Sequence, residues 1–304
     1  MFIIRMQGGL GNQIFIFLFY MSLCKQYGEK NVSIDLSSYK RFHAHTGYIL
    51  EDVFDILPLN KCDLRDAKKY STEIIYTDRL GYLSNHINYI GKIVDYYNTF
   101  IAPRKKNKNF YKEKKSYGFD GNVYNFSIYE KVYFSGYWQN INYFKDMNVI
   151  NVLTFKGKYF VSKSDIDNYN DRVFIHIRGG DYLNIEQLSL CKKNYYIKAV
   201  AHMKKLCSCN KYIVFTDDEK YAKSILDNIG IHYDIYTTIN GDPISDLREM
   251  SMYKYGIISN STYGFWGAVL TREKIICSPK YWLKNNDGKL IGPAMKGWEI
   301  IENV

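Results

Sequence analysis

The sequence predicts an α/β fold with parallel β-sheets, and three observations support this prediction. The second half of the 304-residue chain alternates short β-branched segments with amphipathic ones, which is the pattern of successive βαβ units. The first residues show the same order of strand, glycine turn and helix. Hydrophobic residues make up 46% of the chain and only 5 residues are Pro, so the protein is globular, neither disordered nor collagenous.

The N-terminal segment predicts one strand, one turn and one helix. Residues 2–6 are a short apolar strand, residues 8–11 (Gly-Gly-Leu-Gly) form the turn, and residues 12–27 form an apolar helix that ends at Gly28. The middle of the chain is less regular, and residues 84–101 fit either a helix or two strands.

A basic segment without hydrophobic periodicity covers residues 103–115, and we predict a solvated loop there. Two interpretations stay open: a charged surface without a specific role, or an electrostatic contact with an anionic bilayer or a polyanionic glycan. The formal charge of +10 also suits nucleic acid. No nucleic-acid motif accompanies the segment, so we expect no such partner.

The second half of the chain predicts five strands alternating with four helices. The strands are residues 173–177, 212–215, 232–236, 256–259 and 274–277, and the helices are residues 194–206, 219–229, 246–255 and 263–271. Because ligands of parallel sheets bind beyond the carboxyl ends of the strands, functional residues are expected at those ends.

The first of these strand ends carries His176 and Arg178, which share one face of the strand by alternation. A guanidinium binds phosphate through two charge-assisted hydrogen bonds and keeps its charge near neutral pH. Glycines at positions 179 and 180 let a ligand approach the backbone. The alternative is an ion pair between Arg178 and a nearby carboxylate such as Asp181.

Two further strand ends are polar. Asp217 and Asp218 are placed to accept hydrogen bonds from a guanine edge or ribose hydroxyls, or to cap the helix that begins at Glu219. Asn260, Ser261 and Thr262 open another helix, where free N–H groups and the helix dipole attract an anion, or where Ser261 or Thr262 is a simple N-cap. Together the three strand ends predict a phosphorylated, nucleotide-like ligand.

The N-terminal turn differs from a dinucleotide fingerprint. Gly9 and Gly11 fit its first positions, but Ile14 stands where the third glycine belongs, which disfavours hydride chemistry. Asn12 and Gln13 instead place two amides at the helix entrance.

Features that would hold a metal ion or form disulfides are weak. The Asp-Ile-Asp sequence at 165–167 lies in a polar stretch and is interpreted as a loop, and the six scattered cysteines are interpreted as reduced thiols.

The sequence has no apolar run long enough to span a membrane and no basic leader, so we expect a cytoplasmic protein. The basic segment adds a further expectation, peripheral contact with the inner face of the plasma membrane.

The motifs, taken in order, resemble those of the alpha-1,2-fucosyltransferases of glycosyltransferase family 11. The resemblance covers nearly the whole chain and is carried by residues 8–13 (Gly-Gly-Leu-Gly-Asn-Gln), 176–182 (His-Ile-Arg-Gly-Gly-Asp-Tyr), 215–218 (Phe-Thr-Asp-Asp), 259–268 (Ser-Asn-Ser-Thr-Tyr-Gly-Phe-Trp-Gly-Ala), 279–282 and 293–298. It implies a GT-B-like fold with two Rossmann-like domains facing a cleft. Residues 1–160 would form the acceptor side, and residues 161–304 would bind GDP-fucose.

The resemblance also implies an activity: inverting transfer of L-fucose from GDP-fucose to the 2-hydroxyl of a terminal galactose in an oligosaccharide or surface glycan, with no metal or other cofactor. Arg178 would hold the diphosphate, His176 with Asp217 or Asp218 the guanosine, and Ser261 and Thr262 a phosphate. Asn12 would position the fucose or diphosphate, Asp181 would orient Arg178 or accept the acceptor proton, and Asn260, Gly9 and Gly11 would complete the donor site.

One departure from the family pattern leaves alternatives open. The family usually has a second Arg where this chain has Gly179. Because the first Arg, Arg178, is the one that shares a strand face with His176, the protein is still expected to be an active transferase. One alternative, set by the variable first half of the chain, is transfer of fucose to another hydroxyl or sugar. The other, marked by Gly179, is a weakened homologue that binds GDP or glycan.

Overall fold

The computed structural model describes residues 1–40, 47–102, 107–162, 164–165, 169–188, 190–238, 242–270, 274–285 and 288–303. The chain divides into two compact units. The first comprises Met1–Glu51 and Leu57–Asp146, and the second comprises Asp52–Ile56 and Met147–Val304.

The first unit contains a four-stranded parallel sheet. Its strands are β1 (Phe2–Arg5), β2 (Val32–Asp35), β3 (Phe110–Lys112) and β4 (Val132–Ser135). Its helices are α1 (Leu10–Tyr27), α2 (Leu50–Val53, which continues into the second unit), α3 (Leu64–Tyr70), α4 (Asp78–His86) and α5 (Asn88–Tyr96), and a π-helical turn at Tyr97–Ile101 extends α5. The strand order is β2-β1-β4-β3, and all three pairings are parallel.

The predicted strand, turn and helix at the N-terminus are confirmed. Helix α1 is apolar on nearly all sides and correspondingly buried, with Phe15, Phe19 and Leu23 inaccessible to solvent. It ends where predicted, since Gly28 has a φ of +86° and its N–H bonds the carbonyl oxygen of Cys24 at 2.9 Å.

The prediction of a loop over residues 103–115 is wrong in part. Phe110–Lys112 forms the edge strand β3, parallel to β4. The charge of Lys112 made this segment look like a loop in the sequence. In the structure the Lys112 ammonium group pairs with the buried Glu73 carboxylate at 3.0 Å, so a charged residue is accommodated in the strand. Residues 103–106 of the segment lie outside the described residues.

The second unit is a larger parallel sheet. Its strands are β5 (Arg172–Ile177), β6 (Lys211–Thr216), β7 (His232–Ile235), β8 (Tyr255–Ile257), β9 (Ile275–Pro279) and β12 (Glu299–Ile301), and an antiparallel hairpin is formed by β10 (Tyr281–Asn285) and β11 (Gly288–Ile291). Its helices are α6 (Val149–Val152), α7 (Lys193–Leu206), α8 (Glu219–Leu226), α9 (Pro243–Met250) and α10 (Thr262–Val269).

The strand order of this sheet is β12-β9-β8-β5-β6-β7, which is the Rossmann order. All of these strands are parallel, and the order in which they follow one another along the chain reverses between β5 and β8. The core at its centre contains Val173, Ile175 and Ile177 of β5 packed with Tyr195 and Tyr196 of α7. The predicted α/β class with two Rossmann-like units is confirmed.

Several helix boundaries differ from those predicted. Helix α1 begins at Leu10 rather than at residue 12, and α9 ends at Met250 rather than at residue 255, before strand β8 begins at Tyr255.

Helix α9 begins at Pro243 rather than at residue 246, because proline suits the first helical turn and the Asp242 carboxylate accepts a hydrogen bond from the Ile244 N–H at 3.0 Å. Helix α8 ends at Leu226 rather than at residue 229, and Asn228 follows with a φ of +67°.

The division between the units lies at Asp146/Met147 rather than at residue 160, and residues 52–56 join the second unit. The bridge between Phe54 and Phe155, together with the hydrogen bond from Lys156 N–H to the Val53 carbonyl at 3.0 Å, accounts for this exchange. None of the described helices is long and apolar enough to cross a membrane. All six cysteines are free thiols, as predicted.

Candidate active site

The three polar strand ends of the second unit are neighbours. Strand β5 lies between β6 and β8, and all three run parallel, so their carboxyl ends share one edge of the sheet. Ligands of this topology bind where the strand order reverses, which here is between β5 and β8. The hydrogen bond between His176 Nδ1 and Ser259 Oγ, 2.8 Å long, joins the two sides of this reversal.

Arg178 is fixed by two carboxylates. Its Nη2 lies 2.7 Å from Asp181 Oδ1, its Nη1 lies 2.9 Å from Asp217 Oδ2, and its guanidinium carbon lies 5.1 Å from the centre of the Tyr182 ring. The side chain is 26% exposed. The ion pair with Asp181 foreseen from the sequence is thus present, and the guanidinium is oriented while still accessible at the edge of the sheet.

Asp217 and Asp218 have different roles. Asp217 Oδ1 accepts a hydrogen bond from the Gly179 N–H at 2.8 Å, so this residue holds both Arg178 and the loop after it. Asp218 is the N-cap of α8 and accepts from the Tyr221 N–H at 3.0 Å. The capping interpretation is confirmed for Asp218 and does not apply to Asp217.

The loop after Arg178 is closely packed around its glycines. A Cβ on Gly179 would lie 2.7 Å from Asp218 Cβ, and one on Gly180 would lie 2.7 Å from Asp217 Oδ2. Gly180 also has a φ of +46°, in the left-handed region that side chains disfavour. The glycines let the loop turn tightly against the end of β6.

His176 is buried and neutral. Burial, with a smaller contribution from the Arg178 cation, lowers the pKa of His176 to about 3. The ring packs against Gly264 of α10, where a Cβ would come within 2.6 Å of Nδ1. His176 therefore offers hydrogen bonds rather than positive charge, and it ties β5 to the loop after β8.

The residues predicted to form an anion site at the start of α10 include Asn260 and Ser261, which are both buried but differ in their hydrogen bonds. Asn260 is buried and donates hydrogen bonds to the carbonyl oxygens of Leu188 at 2.7 Å and Trp282 at 2.9 Å, so its amide joins three chain segments. Ser261 occupies the N-cap position of α10, which begins at Thr262, but its side chain makes no capping hydrogen bond. The first N–H groups of α10 are therefore not capped by Ser261.

The N-terminal turn orients Asn12. Helix α1 begins after Gly9, and Gly8 has a φ of +79° with its α-carbon so close to Asn12 that a Cβ would lie 2.5 Å from Nδ2. Asn12 Oδ1 accepts a hydrogen bond from Gln139 Nε2 at 2.7 Å. Gln139 is a residue that sequence reasoning missed, because nothing in its own neighbourhood indicates a partner far away in the chain.

Gln13 has a structural role in the same turn. It is fully buried, and its Nε2 donates to the carbonyl oxygens of Gly8 at 3.1 Å and Gly47 at 2.8 Å. Of the two amides at the helix entrance, only Asn12 is partly exposed.

The strand ends of the first unit form a buried charge cluster. Glu73 forms ion pairs with Arg5 at the end of β1 and with Lys112 at the end of β3, the latter at 3.0 Å. Ser135, at the end of β4, donates to the same carboxylate at 3.0 Å. We call these four residues the Glu73 cluster.

The strand-end residues of the second unit lie within residues 100–289, which match the family model described as Glycosyl transferase family 11. The chain belongs to glycosyl transferase family 11. The region of this family 11 protein that matches covers β5, β6 and β8 with their polar ends, whereas the N-terminal turn lies before it.

Two curated relatives are similar to this family 11 glycosyltransferase over almost its whole length. The alpha-1,2-colitosyltransferase of Escherichia coli is 28% identical over 314 residues, which cover 98% of this chain and 98% of that protein. The O-antigen biosynthesis glycosyltransferase WbnK of Escherichia coli is 26% identical over 316 residues, which cover 96% and 98%.

Solved structures with a similar backbone include POFUT1 in complex with GDP, with a TM-score of 0.46 and 12% sequence identity. The superposition covers 98% of this chain and 97% of POFUT1. The alpha-1,6-fucosyltransferase NodZ soaked with GDP-fucose gives a TM-score of 0.45, 11% identity, and coverage of 89% and 92%. Both scores are below 0.5, so neither resemblance bears on the ligands of the family 11 chain.

Among the described residues of this glycosyltransferase, no three His, Cys, Asp or Glu side chains are grouped so as to hold a metal ion. Asp165 of the Asp-Ile-Asp sequence accepts a hydrogen bond from the Ser162 N–H at 2.9 Å, and residues 166–167 lie outside the described ranges. Independence from metal stays a prediction.

Proposed function

We propose that this family 11 protein transfers L-fucose from GDP-fucose, with inversion at the anomeric carbon, to the 2-hydroxyl of a terminal galactose in a surface glycan. The observation that carries the proposal is the Arg178 guanidinium, which Asp181 and Asp217 fix at the point where the strand order reverses. A diphosphate is the ligand best suited to a fixed, permanently charged guanidinium at the same sheet edge as the first N–H groups of α10, which the Ser261 side chain does not cap.

The proposed reaction breaks the bond between the anomeric carbon and the diphosphate oxygen while the acceptor oxygen attacks the opposite face. The proton of the acceptor hydroxyl passes to a carboxylate, for which the exposed Asp181 is the candidate. Negative charge grows on the departing diphosphate as the sugar gains oxocarbenium character. Arg178 and the first N–H groups of α10 stabilise that charge, and each such donor contributes roughly 3 kcal/mol by analogy with oxyanion sites. No divalent cation is required in this proposal.

The other residues act in the proposal through position. Asp181 and Asp217 orient Arg178, and Asp217 with the neutral imidazole of His176 faces the guanosine. Ser261 and Thr262 hold a phosphate, and Asn12, whose amide Gln139 orients, positions the sugar. Asp218 and Asn260 support the site through their structural hydrogen bonds.

A second candidate is colitosyl transfer, favoured by the similarity to the alpha-1,2-colitosyltransferase. Colitose is fucose without its 3-hydroxyl group. The same diphosphate site serves either sugar, so the choice between them depends on contacts to the 3-hydroxyl.

The deciding experiment is an assay of the purified full-length protein with GDP-fucose and, separately, GDP-colitose against a panel of galactose-terminated oligosaccharides, with linkage analysis of the product. An alpha-1,2-fucosylated galactoside supports the first proposal, and transfer from GDP-colitose alone supports the second. A different linkage would show that the enzyme transfers the sugar to another hydroxyl than the proposed 2-hydroxyl. Binding of GDP without transfer or donor hydrolysis would identify a non-catalytic homologue.

We also propose that the protein acts in the cytoplasm, because its six cysteines are free thiols and thiols stay reduced there. Fractionation of cells with an antibody to the protein tests this location. Recovery from an extracytoplasmic fraction would contradict it.

A further inference from the structure

Helix α5 has two opposite apolar faces. Its inner face buries Gly91 and Val94, and Asn98 in the following π-helical turn continues this face and exchanges hydrogen bonds with the backbone of Ile74 at 2.7 and 3.2 Å. Those contacts attach the helix to its unit. Because residues advance by about 100° along a helix, side chains three and four positions apart on the other side form a separate face.

That outer face is apolar and exposed. It comprises Tyr89, Ile93, Tyr96 and Phe100, with exposed fractions of 73%, 49%, 61% and 52%. The rings of Tyr96 and Phe100 lie 5.1 Å apart, which shows that the face continues into the π-helical turn. We call these four residues the α5 stripe. Ile87 before it and Ile101 after it are also exposed.

An apolar stripe on a helix that has already buried its other side serves no purpose in the packing of its own unit. Exposed apolar clusters of this kind mark sites for a partner or a membrane. Tyrosine with Ile and Phe is the composition of side chains that lie at the boundary between lipid headgroups and acyl chains, because the ring is apolar and the hydroxyl stays hydrated.

The charges beside the stripe identify the occupant. Lys92 is exposed and lies on the flank of the stripe, and Lys108 is exposed beyond the helix. Among the described residues from 87 to 108, the charged side chains are those of Lys92, Asp95 and Lys108. The Asp95 carboxylate accepts a hydrogen bond from the Tyr76 hydroxyl at 3.2 Å. An anionic lipid surface complements this cationic flank, whereas a second copy of the chain would place two cationic flanks together.

We propose that the α5 stripe inserts at the surface of an anionic phospholipid bilayer, with Lys92 facing the headgroups. The stripe adds apolar contact to the electrostatic attraction of Lys92 and Lys108. Binding of this surface does not depend on which sugar the enzyme transfers or on its acceptor.

The test is co-sedimentation of the full-length protein with vesicles of phosphatidylethanolamine and phosphatidylglycerol, with phosphatidylcholine vesicles as the neutral comparison. The variant Tyr89→Ser/Ile93→Ser removes one Tyr and one Ile from the stripe. Its matched control, Tyr129→Ser/Ile291→Ser, removes the same residue types at exposures of 91% and 63% elsewhere. Circular dichroism and transfer to a soluble acceptor confirm that both variants are folded.

The wild-type protein should bind the anionic vesicles, less so as salt rises, and the stripe variant should bind about tenfold more weakly because binding scales with buried apolar area. The control should bind as the wild type does, and Lys92→Glu should reduce binding to anionic vesicles. Equal loss in both double variants, or no binding above that to phosphatidylcholine, would overturn the proposal. So would a dimer in sedimentation velocity that the stripe variant dissociates, since a second copy would then be the occupant.

Discussion

Asp217 and Arg178 form an ion pair of 2.9 Å across the ends of two adjacent strands, and the second oxygen of the same carboxylate bonds the N–H of Gly179. One side chain from the end of β6 therefore fixes both the cation at the end of β5 and the loop that follows it. The direction of the guanidinium is set before any ligand arrives, which is the condition for electrostatic stabilisation without reorganisation.

Replacing Arg178 with Ala is expected to lower kcat for sugar transfer by about 10²- to 10³-fold, because a donor aimed at the developing charge is lost. Steady-state kinetics measures this loss, and a thermal melt verifies that the variant is folded. The control is Arg172→Ala, at the opposite end of the same strand, where the side chain pairs with the exposed Asp171. Full turnover by the Arg178 variant would remove this residue from the mechanism.

Adding a side chain at Gly179 is expected to destabilise the protein rather than to restore the usual family pattern. A Cβ there meets Asp218 Cβ at 2.7 Å and Tyr221 Cδ1 at 3.0 Å, so Gly179→Ala should cost ~1–3 kcal/mol of unfolding free energy. Urea unfolding measures this cost. Gly121→Ala is the matched control, since a Cβ there makes ordinary contacts from 3.5 Å outward. A Gly179→Arg variant as stable as the wild type and more active would contradict the expectation.

His176 should make the protein less stable in acid. Its pKa is about 3 when folded and near 6.5 when exposed, so between these values the unfolded chain binds a proton that the folded chain does not. Stability therefore falls as the pH drops below 6.5, by about 1.4 kcal/mol per pH unit from this group. Urea unfolding at several pH values should show a shallower slope for His176→Asn. The exposed His232→Asn variant should keep the wild-type slope.

Transfer activity is expected to persist without divalent metal, because the proposed charge stabilisation comes from Arg178 and the α10 backbone. The measurement is initial rate after dialysis against EDTA, compared with the same enzyme supplied with Mg²⁺ or Mn²⁺. A strict requirement for either ion would refute this part of the proposal.

Substituting Gln139 tests the orientation of Asn12. Gln139→Ala removes the 2.7 Å hydrogen bond to Asn12 Oδ1, and both residues belong to the first unit. If Asn12 positions the sugar, kcat should fall about tenfold or more, while the affinity for GDP, measured by calorimetry, should stay unchanged. Equal loss of GDP affinity would instead indicate damage to the fold.

The second unit was predictable from the sequence because its elements follow one another regularly along the chain. Each of strands β5 to β8, such as Arg172–Ile177, precedes a helix, and local periodicity is enough to identify both. The hairpin of β10 and β11 and strand β12 break this regular order and were not predicted. In the first unit, Val132–Ser135 is a short strand that becomes recognisable only through its pairing with Phe2–Arg5 and Phe110–Lys112. Pairing between distant segments leaves no local pattern.

The same distinction separates the site residues. Arg178, Asp217 and Ser261 were identified by their positions at strand ends. The structural use of Asn260 and the support that Gln139 gives Asn12 depend on partners 22 to 127 positions away. Which of Asp217 and Asp218 caps α8 was equally undetermined, because it depends on the direction in which the chain leaves β6.

The Glu73 cluster explains why two parallel sheets of similar construction need not bind the same ligand. In the first unit the positive groups that end β1 and β3 already have an internal counter-ion, supplied by a glutamate from outside the sheet. A nucleotide arriving at that edge would have to compete with a carboxylate tethered permanently in place. A single acidic side chain thus neutralises the cations at this edge of the first sheet, which is why the proposed diphosphate site is assigned to the second unit.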